Sequence, residues 1–358
     1  MREHHDIIII GAGLSGLYSA WQLHQKQQDV IVLETRNRTG GRIFSAEYDK
    51  TCRFDMGPAW VWPALQPRLQ QLITHLNLNV FKQFTSGDML YEKTSTEVER
   101  HSGQSSHSQS YRIAGGSQSL IDALQSNIPL SCIHLNTCVQ SIHQTDLCIH
   151  TLRDGRPCEY TANKIILALP PRLTQQNIAF DPPFSKDITE AWSDIPTWMS
   201  GHSKIVFIYE KPFWREQNLS GEVFSHFGPL SEIYDATPVN EEYYALTSFV
   251  GLNAQQRNQM RPEQLIEACM AQLQRLFGED SKNILDSKIK DWSQDKNTST
   301  AIDLTSPMQH PHYPDAMPRS FWNKKKLIVS GTEVARQHGG YLEGALESAD
   351  EAISLCES

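Results

Sequence analysis

The start of the chain restricts its fold more than any other stretch. Residues 6–10 read Asp-Ile-Ile-Ile-Ile and run directly into Gly11-Ala12-Gly13-Leu14-Ser15-Gly16. Four successive β-branched residues are too few to cross a bilayer and suit a strand buried on both faces of a parallel sheet. Each glycine then has its own reason: Gly11 permits a tight turn, Gly13 leaves room for a pyrophosphate, and Gly16 lets the helix expected at residues 17–25 lie close on the strand. Leu14 and Ser15 stand where free N–H groups and the positive end of the helix dipole favour phosphate. A second apolar strand, residues 30–33, ends on Glu34, at the spacing where a carboxylate meets a ribose hydroxyl. Strand, glycines and acid together predict a dinucleotide site, and Glu34 disfavours the extra phosphate of NADP.

Arg36 and then Gly40-Gly41-Arg42 follow closely. A guanidinium gives forked, charge-assisted hydrogen bonds to phosphate, and paired glycines let backbone amides reach it. On its own, Arg42 would read as a solvated turn residue. In place, the stretch ETRNRTGGR resembles the second fingerprint of flavoproteins with two dinucleotide domains, which implies FAD, with the Gly-Gly-Arg loop against its pyrophosphate.

A length of 358 residues suffices for two domains. A net charge of −9 argues against nucleic acid or an anionic membrane as the main partner. Met-Arg-Glu-His-His leads straight into a strand, so no secretory leader is expected. No apolar run nears the roughly 20 residues of a membrane span. Seven cysteines without a CxxC pair lead us to expect a reduced, cytoplasmic chain with no structural zinc. His310-Pro311-His312 reads as a loop rather than a metal site.

Residues 54–63 (FDMGPAWVWP) form an extended aromatic turn containing Gly57, Pro58, Ala59 and Trp60. A helix is expected at 67–76, a turn at Ser86-Gly87, and an exposed loop or hairpin tip without chemistry at 94–110. Alternating apolar residues between 133 and 160 surround Asp154-Gly155, a hairpin signal. KIILALPP at 164–171 and KIVFIY at 204–209 read as strands, and residues 261–277 as an amphipathic helix opened by Pro262 and closed by Gly278. A last strand, 326–330, precedes Gly331-Thr332-Glu333 and a closing helix from about Glu343. The first βαβ unit and this last strand–helix pair look like pieces of one domain. The expected fold is therefore α/β: a Rossmann-like FAD/NAD(P)-binding domain (1–65, 111–185, 305–358) with an inserted, reduced α+β substrate domain (66–110, 186–304).

The segment VSGTEVARQHGGYLEGALESAD, residues 329–350, resembles the C-terminal signature of the flavin-containing amine oxidase family. The resemblance covers most of the chain and implies that Gly331, Glu333, Gly340, Tyr341 and Leu342 lie along the flavin. It places Val139 by the adenine, Trp292 before the flavin, and Lys204, ahead of Pro212-Phe213-Trp214, as the lysine that holds a water at flavin N5. By itself a lysine opening an apolar strand is an ordinary strand-end residue. Tyr341 matches one of two tyrosines that sandwich the amine. Where the partner is expected the chain reads Thr298-Ser299-Thr300-Ala301-Ile302. The family's flavin-tethering cysteine has no counterpart, implying noncovalent FAD. The segment from Trp60 to Gly115 is shorter than in monoamine oxidases, implying a more open cavity or one completed by a second copy of the chain.

The implied activity is oxidation of a small amine to an imine, with O2 or another acceptor taking the electrons. Related flavoproteins desaturate C–C bonds, oxidise porphyrinogens or isomerise, and a non-catalytic FAD-binding subunit is a third reading. Arg53, Arg172 and Arg336 are candidates for a substrate carboxylate.

Overall fold

The computed structural model describes residues 2–305, 310, 311, 313 and 326–357, so His312 lies outside it. The isoleucine run forms the end of strand Arg2–Ile10, which pairs parallel with Val30–Leu33 on one side and Arg156–Leu167 on the other. Because strand side chains alternate, Ile7 and Ile9 enter the core on one face of the sheet while Ile8 and Ile10 enter the core on the other. Ile133–His134 and Leu327–Val329 extend the parallel part, and Ala179–Asp181 pairs parallel with Thr137–His143 at the far edge. Thr137–His143, Cys148–Arg153 and the first half of Arg156–Leu167 form an antiparallel meander. Its second hairpin turns at Asp154 and Gly155, both at positive φ, as Asp-Gly predicts.

Helix Leu14–Gln25 packs on the first face with Gln118–Ser126 and Leu342–Glu357. Its close approach depends on Gly16: a Cβ there would lie 2.0 Å from the Gly11 carbonyl oxygen. The Ser15 hydroxyl bonds that of Ser330, tying the first helix to the last strand at 2.5 Å.

A second sheet of seven strands among the described residues runs in the order 284–291, 203–209, 244–250, 230–235, 219–225, 88–94, 97–101. One of its faces packs on helix Pro262–Phe277, receiving Ile205, Phe207 and Tyr209. The other turns Val206 and Ile208 towards Phe54 and Met56 of the aromatic turn. Lys204 shares that alternation and so points towards the first domain.

Two expected domain borders do not follow the packing. Helix Pro67–His75 buries Leu69, Leu72 and Ile73 in the core of the first sheet, because its apolar stripe meets the first and last helices. Helix Lys186–Asp194 likewise sets Ile188 and Trp192 against that sheet's other face. Of the two readings of the 94–110 segment, the hairpin holds at its start, where Glu97–His101 pairs antiparallel with Asp88–Thr94 as the edge strand, and beyond it His107 folds back to stack on Trp60.

Gly16→Ala should lose ~2 kcal/mol or more in thermal unfolding, since the added methyl meets rigid backbone. Gly13→Ala, whose Cβ would have no neighbour within 4 Å, should keep its melting temperature and lose dinucleotide binding instead.

Candidate active site

The two sheets meet along a cleft holding about 1700 Å³ of space, including the solvent at its mouth. At one end lie Gly11, Gly13, Leu14 and Ser15, with the first turn of helix Leu14–Gln25 facing the opening. The Gly40 amide donates to the Ala12 carbonyl at 2.7 Å, which brings the Gly40–Gly41 loop beside Gly13. Glu34 is 4% exposed and fixed by the Ala12 amide on one oxygen and the Arg36 amide on the other, at 2.8 and 2.9 Å. The Arg36 guanidinium donates to Asp295 and to the Thr298 hydroxyl. Through Arg36, Thr298 thus stands at the Glu34 end of the cleft.

Midway, Arg42 forms a forked pair with Glu333 at 2.5 and 3.0 Å and donates to the Trp198 carbonyl at 3.1 Å. Burial alone would lower the pKa of this guanidinium, but the adjacent Glu333 carboxylate and its hydrogen bonds reverse that and raise it. Gly331 at φ +142° lets the chain turn into Thr332 and Glu333 beneath the pair.

The far end is aromatic. Gly57, Pro58, Ala59 and Trp60 line it with Trp292, and across from them stand Gly340, Tyr341 and Leu342, the last opening the closing helix. The Trp292 indole donates to the Met56 carbonyl at 2.9 Å. Lys204 is 3% exposed; its Nζ donates to the Gly57 carbonyl at 3.1 Å and lies 5.5 Å from the Trp60 ring centre and 5.7 Å from that of Phe249. Burial pulls its pKa from 10.5 down to about 8, with Asp55 opposing the shift and Arg112 adding to it. Behind Trp60, His107 stacks at 4.3 Å, and burial lowers its pKa too.

Of the residues assigned in the sequence to cofactor binding or catalysis, the cleft gathers all but Gly16 and Val139. Gly16 acts through helix packing. Val139 faces the apolar core under the meander with Ile142 and Ile149, so its side chain does not line the cleft. Arg53 is paired with Asp122, Arg172 with Asp303 and Arg336 with Glu351, and none of the three lines it. Sequence reasoning missed Trp198, Met199, His202 and Phe249. Phe249 had a signal, since it sits directly opposite Lys204 in the antiparallel register. The other three lie in an irregular segment with Met199 at positive φ, where no periodicity marks a facing side. Tyr341 is 45% exposed, and His310 stacks on its ring at 5.1 Å and 22°.

The glycine cradle, a Gly13 open to the cleft, the helix start and the fixed Glu34 carboxylate fit a dinucleotide, and the adjoining aromatic chamber fits a reactive ring. Fold and site define a dinucleotide-dependent oxidoreductase. The family model described as "Flavin containing amine oxidoreductase" matches residues 81–352, and that of an "NAD(P)-binding Rossmann-like domain" matches residues 9–76. The chain therefore belongs to the flavin-containing amine oxidoreductase family, whose cofactor is FAD and whose substrates are amines. It is 22% identical to the probable flavin-containing monoamine oxidase A of Dictyostelium discoideum, across 97% of this chain and 96% of that protein. A local match to human amine oxidase B reaches 35% over 82 residues, 23% of this chain and 16% of that one. In fold it is similar to a putrescine oxidase bound to putrescine (TM-score 0.80, 19% identity, 99% of each chain) and to cyclohexylamine oxidase from Brevibacterium oxydans (0.80, 18%, 99% of each).

Removing Arg42 as Arg42→Met strands the Glu333 carboxylate, 1% exposed, and should lower stability by ~3 kcal/mol. Thermal unfolding should show Arg42→Lys recovering only part of this, because an ammonium lacks the fork.

Proposed function

We propose that the chain oxidises neutral amines bearing apolar or aromatic substituents, with O2 as acceptor, and that it does so in the cytoplasm. The single observation carrying the substrate reading is the aromatic chamber with Lys204 buried in its wall. The two carboxylates among the described lining residues are Glu34 and Glu333, both committed to other partners away from Lys204. A second ammonium on the substrate thus finds no counter-ion among these residues, whereas an apolar group finds Trp60, Trp62, Phe249 and Trp198. The acidic balance and the cysteines standing outside disulfides support the location.

FAD held there would supply the redox chemistry: acceptance of a hydride equivalent from the amine α-carbon and passage of the electrons to O2 as H2O2, with the imine hydrolysed by water to a carbonyl compound and ammonia. The chain's own part is orientation. The Leu14 helix start and Gly40–Gly41 loop hold phosphate, Glu34 takes the ribose, and the faces of Trp60 and Phe249 keep bulk water from Lys204. The Gly57 carbonyl fixes the Lys204 Nζ at the chamber wall. Tyr341 offers a ring face on which an amine substituent can rest.

The test is anaerobic bleaching of the yellow protein by a panel of amines, followed by air. Reduction by benzylic or alkyl monoamines but not diamines, with peroxide on reoxidation, is expected. Preference for a diamine, or bleaching without reoxidation by air, would overturn the substrate or the acceptor.

Lys204→Met should slow flavin reduction or reoxidation by about 10²-fold. It should also change stability in the opposite sense. Between pH 8 and 10.5 the unfolded chain holds a proton that folded Lys204 has shed. Wild-type stability of the FAD-free protein should therefore rise with pH through that window, by ~3 kcal/mol in all. The variant should be the more stable one below pH 8 and lack this rise, as denaturant unfolding at several pH values will show.

A further inference from the structure

We propose that Cys148, His150 and Glu159 form a zinc site on the meander, apart from the cleft. Strands Cys148–Arg153 and Arg156–Leu167 pair antiparallel with His150 opposite Glu159. Cys148 and His150, two residues apart, share a face by alternation, and Glu159 reaches them across the ladder. The Cys148 Sγ lies 3.9 Å from the His150 Nε2 and 3.3 Å from the Glu159 Oε1, and all three donor atoms fall within 4.8 Å of one another. A tetrahedral ion with bonds of about 2.0–2.3 Å keeps its ligand atoms roughly 3.3–3.7 Å apart. Both sulfur distances are already close to that span.

The donor chemistry selects the metal. Thiolate, imidazole and carboxylate together suit Zn²⁺, whereas Mg²⁺ and Ca²⁺ require oxygen alone. Three protein ligands leave a fourth position for water. Cys148 is buried and His150 exposed, so the ion has a donor at depth and a way in from solvent. Binding releases the thiol proton of Cys148 to solvent, so affinity falls as pH drops. A second grouping, Asp49, Cys52 and Glu242, offers no imidazole, so its donor set is less suited to zinc. The absence of zinc expected from the lack of CxxC rested on spacing along the chain. This tripod arises instead from strand pairing.

The experiment is equilibrium dialysis of the reduced, metal-stripped, FAD-loaded protein against micromolar ZnCl2, with bound zinc measured by mass spectrometry. One high-affinity equivalent per chain is expected. It should weaken more than about tenfold in His150→Ala and Glu159→Gln and persist in Cys52→Ser. Flavin reduction by amine should be unchanged in His150→Ala. Because His150 is exposed, this variant decides the matter even if Cys148→Ser folds poorly. No retained zinc in the wild type, or equal retention in His150→Ala, overturns the site.

Discussion

The forked pair between Arg42 and Glu333 holds together three parts of the chain that lie far apart in sequence. Arg42 belongs to the loop after the second strand, Glu333 to the segment after the last strand, and the Trp198 carbonyl to the entry into the second sheet. Glu333 is 1% exposed at its side chain, so an unpaired carboxylate would be costly there. Satisfying that one charge fixes the distance between the glycine loop and the closing segment. The middle of the cleft is set by it, and the phosphate end and the aromatic end are then placed on either side.

Lys204 is the second expensive feature. Burial strips water from its ammonium, and a single carbonyl with two ring faces replaces only part of that solvation. A strand of otherwise apolar residues tolerates it because the sheet behind is fully packed: Ile205 and Phe207 are anchored on helix Pro262–Phe277, and Val206 and Ile208 on the aromatic turn. Stability gathered by those side chains supports a group that by itself opposes folding. Such an arrangement is what a functional site leaves in a sequence that otherwise obeys packing rules.

Much of this was legible in the sequence because local chemistry dictated it. Isoleucine alternation, the spacing of Gly11, Gly13 and Gly16, and the acid at Glu34 each follow from contacts within the first 34 residues or so, and the structure sets Gly11, Gly13 and Glu34 along the cleft. The borders between domains were harder. Helices Pro67–His75 and Lys186–Asp194 show their apolar stripes plainly, yet periodicity says which face is buried and not against which sheet. Val139 is buried with Ile142 under the meander, and strand alternation says that it is buried without saying whether against the cleft or the core. The Cys148, His150 and Glu159 grouping needed the register of two strands, which a hairpin turn implies only once the turn itself is fixed.

The strand Arg2–Ile10 sits in the interior of its sheet, between neighbours from residues 30–33 and 156–167, and the sheet is closed by residues 327–329. During synthesis from the N-terminus, these first residues emerge long before the segments that cover them. The isoleucine run must stay soluble with one edge open until residues 156–167 have been made. The Ser15–Ser330 bond, joining partners 315 residues apart, forms later still. The cofactor cradle is therefore complete only when residues 330–333 join residues 11–15, so it depends on contacts of very long range as well as on its most regular elements.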